Sequence, residues 1–176
     1  MMQVEQKRNR QHILIRKLTA EMREVFGTDW RRIDHAAAVL RHATRLLREQ
    51  DDSVDREVVL AAAVLHDIGI PACERKHGSA AGRFQEQEGP PIARQIMKRC
   101  GVAEETVDHV CRIIANHHSA RNIDTPEFRI VWDADWLVNF REEYPYADPA
   151  LSAQLIEKIF KTSVGRKEAR RRLLAE

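Results

Sequence analysis

Val58-Val59-Leu60-Ala61-Ala62-Ala63-Val64-Leu65-His66-Asp67-Ile68-Gly69 is the stretch that decides how the chain reads. Its first eight residues are all apolar, so a helix built from them has no polar face and belongs at the centre of a helical protein, buried on every side. His66 falls one and two turns beyond Ala62 and Val59, and Asp67 stands in the same relation to Ala63 and Leu60. An ionised carboxylate in such company is costly unless it is paired or bound to a cation. Gly69, with Pro71 just beyond it, stops the helix.

Outward from this segment the periodicity predicts helix after helix, with no alternating apolar run and no Asn-Gly or Asp-Gly turn to close a hairpin. The fold class is therefore all-α, a single compact bundle with additional N- and C-terminal helices. Residues 3–26 carry Ile13, Leu14, Leu18, Met22 and Val25 at helical spacing, and Gly27-Thr28-Asp29 supplies a stop followed by a cap. A second helix runs to about Gln50, and Asp51-Asp52-Ser53 separates it from the central one. Residues 70–89 read as a loop with one short helix, and loops of that length in a small domain are often functional. Pro90-Pro91 opens a helix that closes at Gly101, and another spans about 103–118. Asp124-Thr125-Pro126 and Asp148-Pro149 start the last two, each proline occupying a first turn where its missing N–H costs nothing.

The chain has 176 residues, 43% of them hydrophobic and 32% charged, which suits one globular domain with a real core. Its formal charge of +2 gives no general pull towards nucleic acid or membrane. That figure averages two basic ends over a middle, residues 31–142, with 16 basic and 18 acidic groups. The basic cluster Arg166-Lys167 and Arg170-Arg171-Arg172 lacks interleaved aromatics, so it reads as a solvated helix face and no nucleic-acid partner is expected. Cys73, Cys100 and Cys111 form no CxxC pair, which fits a reducing cytoplasm. No segment has the length of a signal-peptide core or a membrane helix, so no membrane association is expected.

Eight histidines in such a chain stand out. His35 heads the stripe Ala38, Val39, His42 and Leu46 in the second helix. His117 follows Val110 and Ile113, and His118 follows Cys111 and Ile114, at one- and two-turn spacing. Asp135 lies beneath Phe128, Val131 and Trp132, whereas Asp133 has the less apolar neighbours Arg129 and Ile130. A lone core histidine is usually just hydrogen-bonded. Four helices aiming His, His-Asp, His-His and Asp at one interior supply the mixed N and O ligands of a divalent cation. With no cysteine in the set, an open site is expected rather than a closed structural zinc.

The order His35, His66-Asp67, Asp135 resembles the HD-domain superfamily of metal-dependent phosphohydrolases over residues 31–142. LAAAVLHDIG is similar to the family's LxAAxLHDIG, and IVWDADWL to its late Asp motif, hydrophobic-Ala-Asp-x-hydrophobic, which selects Asp135 over Asp133. The resemblance implies an HD core at 31–142 flanked by an N-terminal helical extension, 1–30, and a basic C-terminal one, 143–176. It also implies that His35, His66, Asp67 and Asp135 ligate the metal. In dinuclear branches a further His opens the helix after the signature and a His-His pair follows. His117-His118 matches that pair, but Gly89 stands at the opener, so Glu88 or His77 would have to replace it and the number of metals, one or two, stays open. The Gly-Tyr-Pro tripeptide of the branch that cleaves cyclic dinucleotides is absent.

The expected activity is hydrolysis of a phosphate ester of a nucleotide or similar phosphorylated metabolite, by a phosphomonoesterase or phosphodiesterase reaction. Asp67 and His66 are the catalytic candidates: Asp67 would ligate through one oxygen and orient or deprotonate the attacking water through the other. Arg83, Arg94, Arg121 and Lys76 are candidates for clamping phosphate. The ligand types do not choose among Mn, Fe, Co, Ni, Zn and Mg. The alternative from another class is a regulatory module that binds metal and nucleotide without turnover. The Trp132, Trp136 and Phe140 group reads as core or as the face of a homodimer.

Overall fold

The computed structural model describes residues 2–51 and 53–174, with all their side chains except those of 2–4 and 7. Asp52, one of the three residues in the expected polar break, lies outside the described residues. The described residues form nine α-helices and no strand: α1 (Met2–Phe26), α2 (Trp30–Leu46), α3 (Arg56–Leu65), α4 (Ile70–His77), α5 (Gly82–Arg99), α6 (Glu104–Ile114), α7 (Pro126–Glu143), α8 (Pro149–Ile159) and α9 (Ser163–Leu173). A 3₁₀ turn, Leu47–Glu49, extends α2. Among these residues no helix is long and apolar enough to cross a membrane.

The all-apolar run is the hub. Every residue from Val58 to Leu65 is buried, and α1, α2, α6 and α7 all pack against α3. Burying one Val or Leu side chain in this way contributes roughly 1.5–3 kcal/mol. Asp55 caps the helix, its Oδ1 accepting from the Glu57 and Val58 amides. α1 lays Ile15, Leu18, Met22 and Phe26 on this hub and leaves Ile13 exposed, so its buried face is rotated slightly from the expected stripe. α2 likewise buries Ile33, Ala36, Val39, Ala43 and Leu46, with Ala38 and His42 at the margin. The terminal helices belong to the same core, through Ile156, Phe160 and Ala169. Trp132 Nε1 donates to the Ile159 carbonyl at 3.0 Å, which fixes α8 against α7.

Two expectations fail between residues 70 and 101. Most of the expected loop is helical, as α4 and the first turns of α5, leaving only residues 78–81 between them. Pro90 and Pro91 sit inside α5 rather than opening it. Each proline removes one helical N–H but has a φ that suits a helix, and Gly89 before Pro90 has no Cβ to clash with the proline ring. The first turns are held by groups far away in sequence: the Glu86 carboxylate accepts from the His118 and Ser119 amides at 3.0 and 2.7 Å. Gln85 Nε2 also donates to the Ala80 carbonyl at 2.8 Å.

α5 crosses the turn after α3 with backbone almost touching backbone. A Cβ on Gly69 would lie 2.7 Å from the Gly89 nitrogen, and one on Gly89 would lie 2.8 Å from Ile114 Cγ2. Neither position accommodates a side chain, and this crossing fixes the residues just before Gly69.

Candidate metal centre

His66 caps the C-terminus of α3 and Asp67 begins the turn that follows. His66 Nδ1 donates to the Ala63 carbonyl at 3.1 Å, which satisfies one of the helix's last carbonyls and turns Nε2 towards α2 and α7. There it meets His35 Nε2 at 3.2 Å, Asp67 Oδ2 at 3.4 Å and Asp135 Oδ1 at 3.6 Å. His35 Nε2 in turn lies 3.0 Å from Asp135 Oδ1 and 3.5 Å from Asp67 Oδ2. Donor atoms that share one cation at about 2.0–2.2 Å are separated by such distances, so His35, His66 and Asp135 form a group that could hold a divalent ion, with Asp67 Oδ2 beside both imidazoles.

The electrostatics agree with the geometry. Burial works against charge on His66, yet the Asp67 and Asp135 carboxylates outweigh it and hold its pKa well above the ordinary imidazole value. Burial likewise opposes ionisation of the two acids, but His66 and His117 hold Asp67 well below the usual carboxylate range, and His35 and His66 do the same for Asp135. The pocket thus favours ionised carboxylates on the half-buried Asp67 and Asp135 and favours positive charge between them. Access is graded: His66 is 1% exposed, while His35, Asp67 and Asp135 keep 19%, 17% and 14% of their side chains open to solvent.

His117 stands on the other side of Asp67, its Nε2 3.4 Å from Asp67 Oδ1. Its Nδ1 is bound to the Ile114 carbonyl at 2.7 Å, and Nε2 is buried without a hydrogen-bond partner. A buried orphan nitrogen beside a carboxylate oxygen marks a place for a water or a ligand.

A sequence model of the HD domain matches residues 32–139, an interval that holds His35, His66, Asp67, His117, His118 and Asp135. The chain belongs to the HD-domain family. A solved structure described as a predicted HD superfamily hydrolase, from an uncultured Thermotogales bacterium, is similar with a TM-score of 0.65. It is 23% identical, and the match covers 90% of this HD-domain chain and 84% of that one, which is a likeness of fold. None of the curated proteins matches the chain.

Within this HD domain, Asp133 and Asp135 have different surroundings. Asp133 is fully buried and faces the α8–α9 turn, accepting from the Lys161 amide at 2.7 Å, the Thr162 amide at 2.8 Å and the Thr162 hydroxyl at 2.6 Å. Asp135 faces the histidines, and Asn139 Nδ2 steadies its Oδ1 at 2.9 Å.

A second cluster, Asp67, His117 and His118, offers three ligand atoms within 4.8 Å of one another. The His118 ring rests on Gly82, where a Cβ would lie 2.7 Å from Cγ, and is otherwise exposed to solvent. The candidate replacements for a further ligand do not join it. The Glu88 carboxylate accepts from Lys76 and lies 3.0 Å from His77 Nε2, while His77 is stacked on Phe84 at 4.1 Å. Gly89 itself has no room for a side chain.

Most of the candidate phosphate clamps are occupied. Arg94 pairs with Glu104 and Asp108 at 2.6 Å each, Lys76 is bound to Glu88, and Arg83 lies over the Phe84 ring at 4.5 Å. Arg121 is exposed on the segment after His118. Arg32, one turn before His35, is the basic group that the sequence did not single out. It forms a two-pronged pair with Glu74 at 2.6 and 3.1 Å and lies close enough to Asp67 to feel its charge.

Proposed function

We propose that this HD-domain protein hydrolyses a phosphate ester of a nucleotide or a similarly phosphorylated metabolite, using one divalent cation held by His35, His66, Asp67 and Asp135. The observation that carries this reading is the arrangement of Asp67: Oδ2 faces His35 and His66 while Oδ1 faces the buried, unpartnered Nε2 of His117. A divalent cation bound there lowers the pKa of water towards neutrality and polarises a phosphoryl oxygen.

The chain's own groups do the rest. Asp67 Oδ1, turned away from the other ligands, accepts a proton from the attacking water. His117, fixed by Ile114 through Nδ1, keeps Nε2 aimed at the same place and there orients that water or donates to a phosphoryl oxygen. Arg32, which feels the charge of Asp67, adds positive charge beside the site. A single cation suits the surroundings, since Gly89 and the Glu88–Lys76 pair leave the second cluster three ligands, one of them shared. Three free thiols, Cys73, Cys100 and Cys111, support the cytoplasm as its compartment.

The test is phosphate release from a panel of nucleoside mono-, di- and triphosphates, cyclic esters and sugar phosphates, with Mn²⁺, Co²⁺, Ni²⁺, Zn²⁺ and Mg²⁺ in turn. Turnover of at least one substrate that disappears in Asp67→Asn is expected. Nucleotide binding with no release from any substrate would instead make the protein a metal- and nucleotide-binding regulatory module.

A further inference from the structure

A separate concentration of charge lies where the end of α2 and the 3₁₀ turn meet α9. Arg45, Arg48, Glu49, Lys167, Glu168 and Arg171 line a cleft of about 350 Å³. All six are charged, four of them cationic. The cleft is built around a buried carboxylate. Glu168, only 9% exposed, accepts from Arg45 Nη1 at 2.8 Å, from Arg171 Nε and Nη2 at 2.9 and 2.8 Å, and from Arg172 Nε at 2.6 Å. One carboxylate does not neutralise three guanidiniums; it fixes their planes, so that a second anion finds donors already oriented.

The remaining cations leave the excess in place. Lys167 Nζ pairs with Glu49 at 2.9 Å, and Arg48 is exposed with no partner among the described residues. His42 records the field: burial and the nearby Arg172, Arg41 and Arg45 push its pKa down to about 4, against the opposing pull of Glu168. A concave surface lined mainly by one sign concentrates counter-ions of the other. The volume is at the small end of ligand sites, roughly 300–1,000 Å³. No aromatic or apolar residue lines the cleft, so nothing there recognises a base or sugar. A single-stranded nucleic acid would need a longer groove with stacking platforms.

We propose that the Arg45–Arg48–Lys167–Arg171 cleft is a binding site for a linear oligophosphate, recognised by its phosphate chain alone. The ligand is either an inorganic oligophosphate or the triphosphate of a nucleotide, and it binds independently of the metal centre.

The experiment is calorimetric titration of the full-length, metal-loaded protein with inorganic tripolyphosphate and with ATP at low salt, set beside Arg48→Glu/Lys167→Glu and His66→Ala. Neither Arg48 nor Lys167 touches Glu168, so the double variant leaves the arginine clasp intact. Tripolyphosphate is expected to bind the wild type, to lose tenfold or more in affinity in the double variant, and to keep its affinity in His66→Ala. Equal affinities for ATP and tripolyphosphate, both measured in His66→Ala so that the metal centre does not contribute, would support recognition of the chain alone; ATP binding tenfold tighter in that variant would overturn it by showing a base contact. The proposal also fails if the wild type does not bind, if the double variant binds unchanged, or if affinity is lost in His66→Ala. It fails likewise if a short single-stranded RNA binds more tightly than tripolyphosphate and depends on the same two residues.

Discussion

His35 Nε2 lies 3.0 Å from Asp135 Oδ1, joining the second turn of α2 to the middle of α7 across the end of α3. Asn139, one turn after Asp135, donates to the same oxygen at 2.9 Å and so holds the carboxylate in the orientation that meets the imidazole. Groups that orient a ligand in this way are worth about 10–100-fold in metal affinity. Asn139→Ala is therefore expected to weaken Mn²⁺ or Zn²⁺ binding about tenfold in a chelator-competition titration, with little change in unfolding temperature.

Asp133 predicts the opposite pattern. It ties α7 to the start of α9, and Gly165 packs so close that a Cβ there would lie 2.1 Å from Asp133 Oδ2. Asp133→Asn turns an amide NH₂ or a weaker acceptor towards three donors, and leaving a buried polar group unsatisfied costs about 1–3 kcal/mol. Denaturant unfolding should report that loss, while the metal-to-chain ratio of the folded variant stays at the wild-type value.

Gly69→Ala tests the backbone crossing. Its Cβ would meet the Gly89 nitrogen at 2.7 Å and Cα at 2.9 Å, so α5 or the His66–Gly69 turn must move. Overpacking of this kind costs about 1–3 kcal/mol. Because the same turn carries His66 and Asp67, calorimetry should show weaker metal binding together with a lower unfolding temperature.

His42 sets a pH dependence remote from the metal centre. Its folded pKa of about 4 lies below its ordinary value of 6.5, so between those values the unfolded chain binds the proton more readily than the folded one. The folded state is therefore favoured fully above about pH 6.5 and loses that contribution as the pH falls towards 4. His42→Gln should flatten the decline of stability across this window, measured as the difference between variant and wild-type denaturant midpoints from pH 7 to pH 4.

What could be read in the sequence and what could not divides along physical lines. Burial of Val58–Leu65 follows from an unbroken apolar run, but the neighbours one turn back do not show that Asp133 is the more deeply buried of the two acids, because its partners Lys161 and Thr162 come from the distant α8–α9 turn. The course of α5 was hidden, because prolines usually mark a helix start and the contacts that override the rule, Glu86 with the His118 and Ser119 amides, come from a distant segment. Arg32 was hidden for the same reason: its partner Glu74 sits on another helix. The basic C-terminal run reads as a solvated face, and Lys167, Arg170, Arg171 and Arg172 are exposed; what no local pattern shows is that Glu168 also gathers Arg45 from the end of α2.

The measurement that bears most directly on the metal centre is the metal content of the purified protein and of four single variants, by elemental analysis, alongside phosphate release. The wild type is expected to hold close to one divalent ion per chain. Little metal and no hydrolysis are expected in His66→Ala and Asp67→Ala, and retention of both in His12→Ala and His109→Ala, whose imidazoles lie outside the cluster. Full metal occupancy in Asp67→Ala would contradict this ligand set.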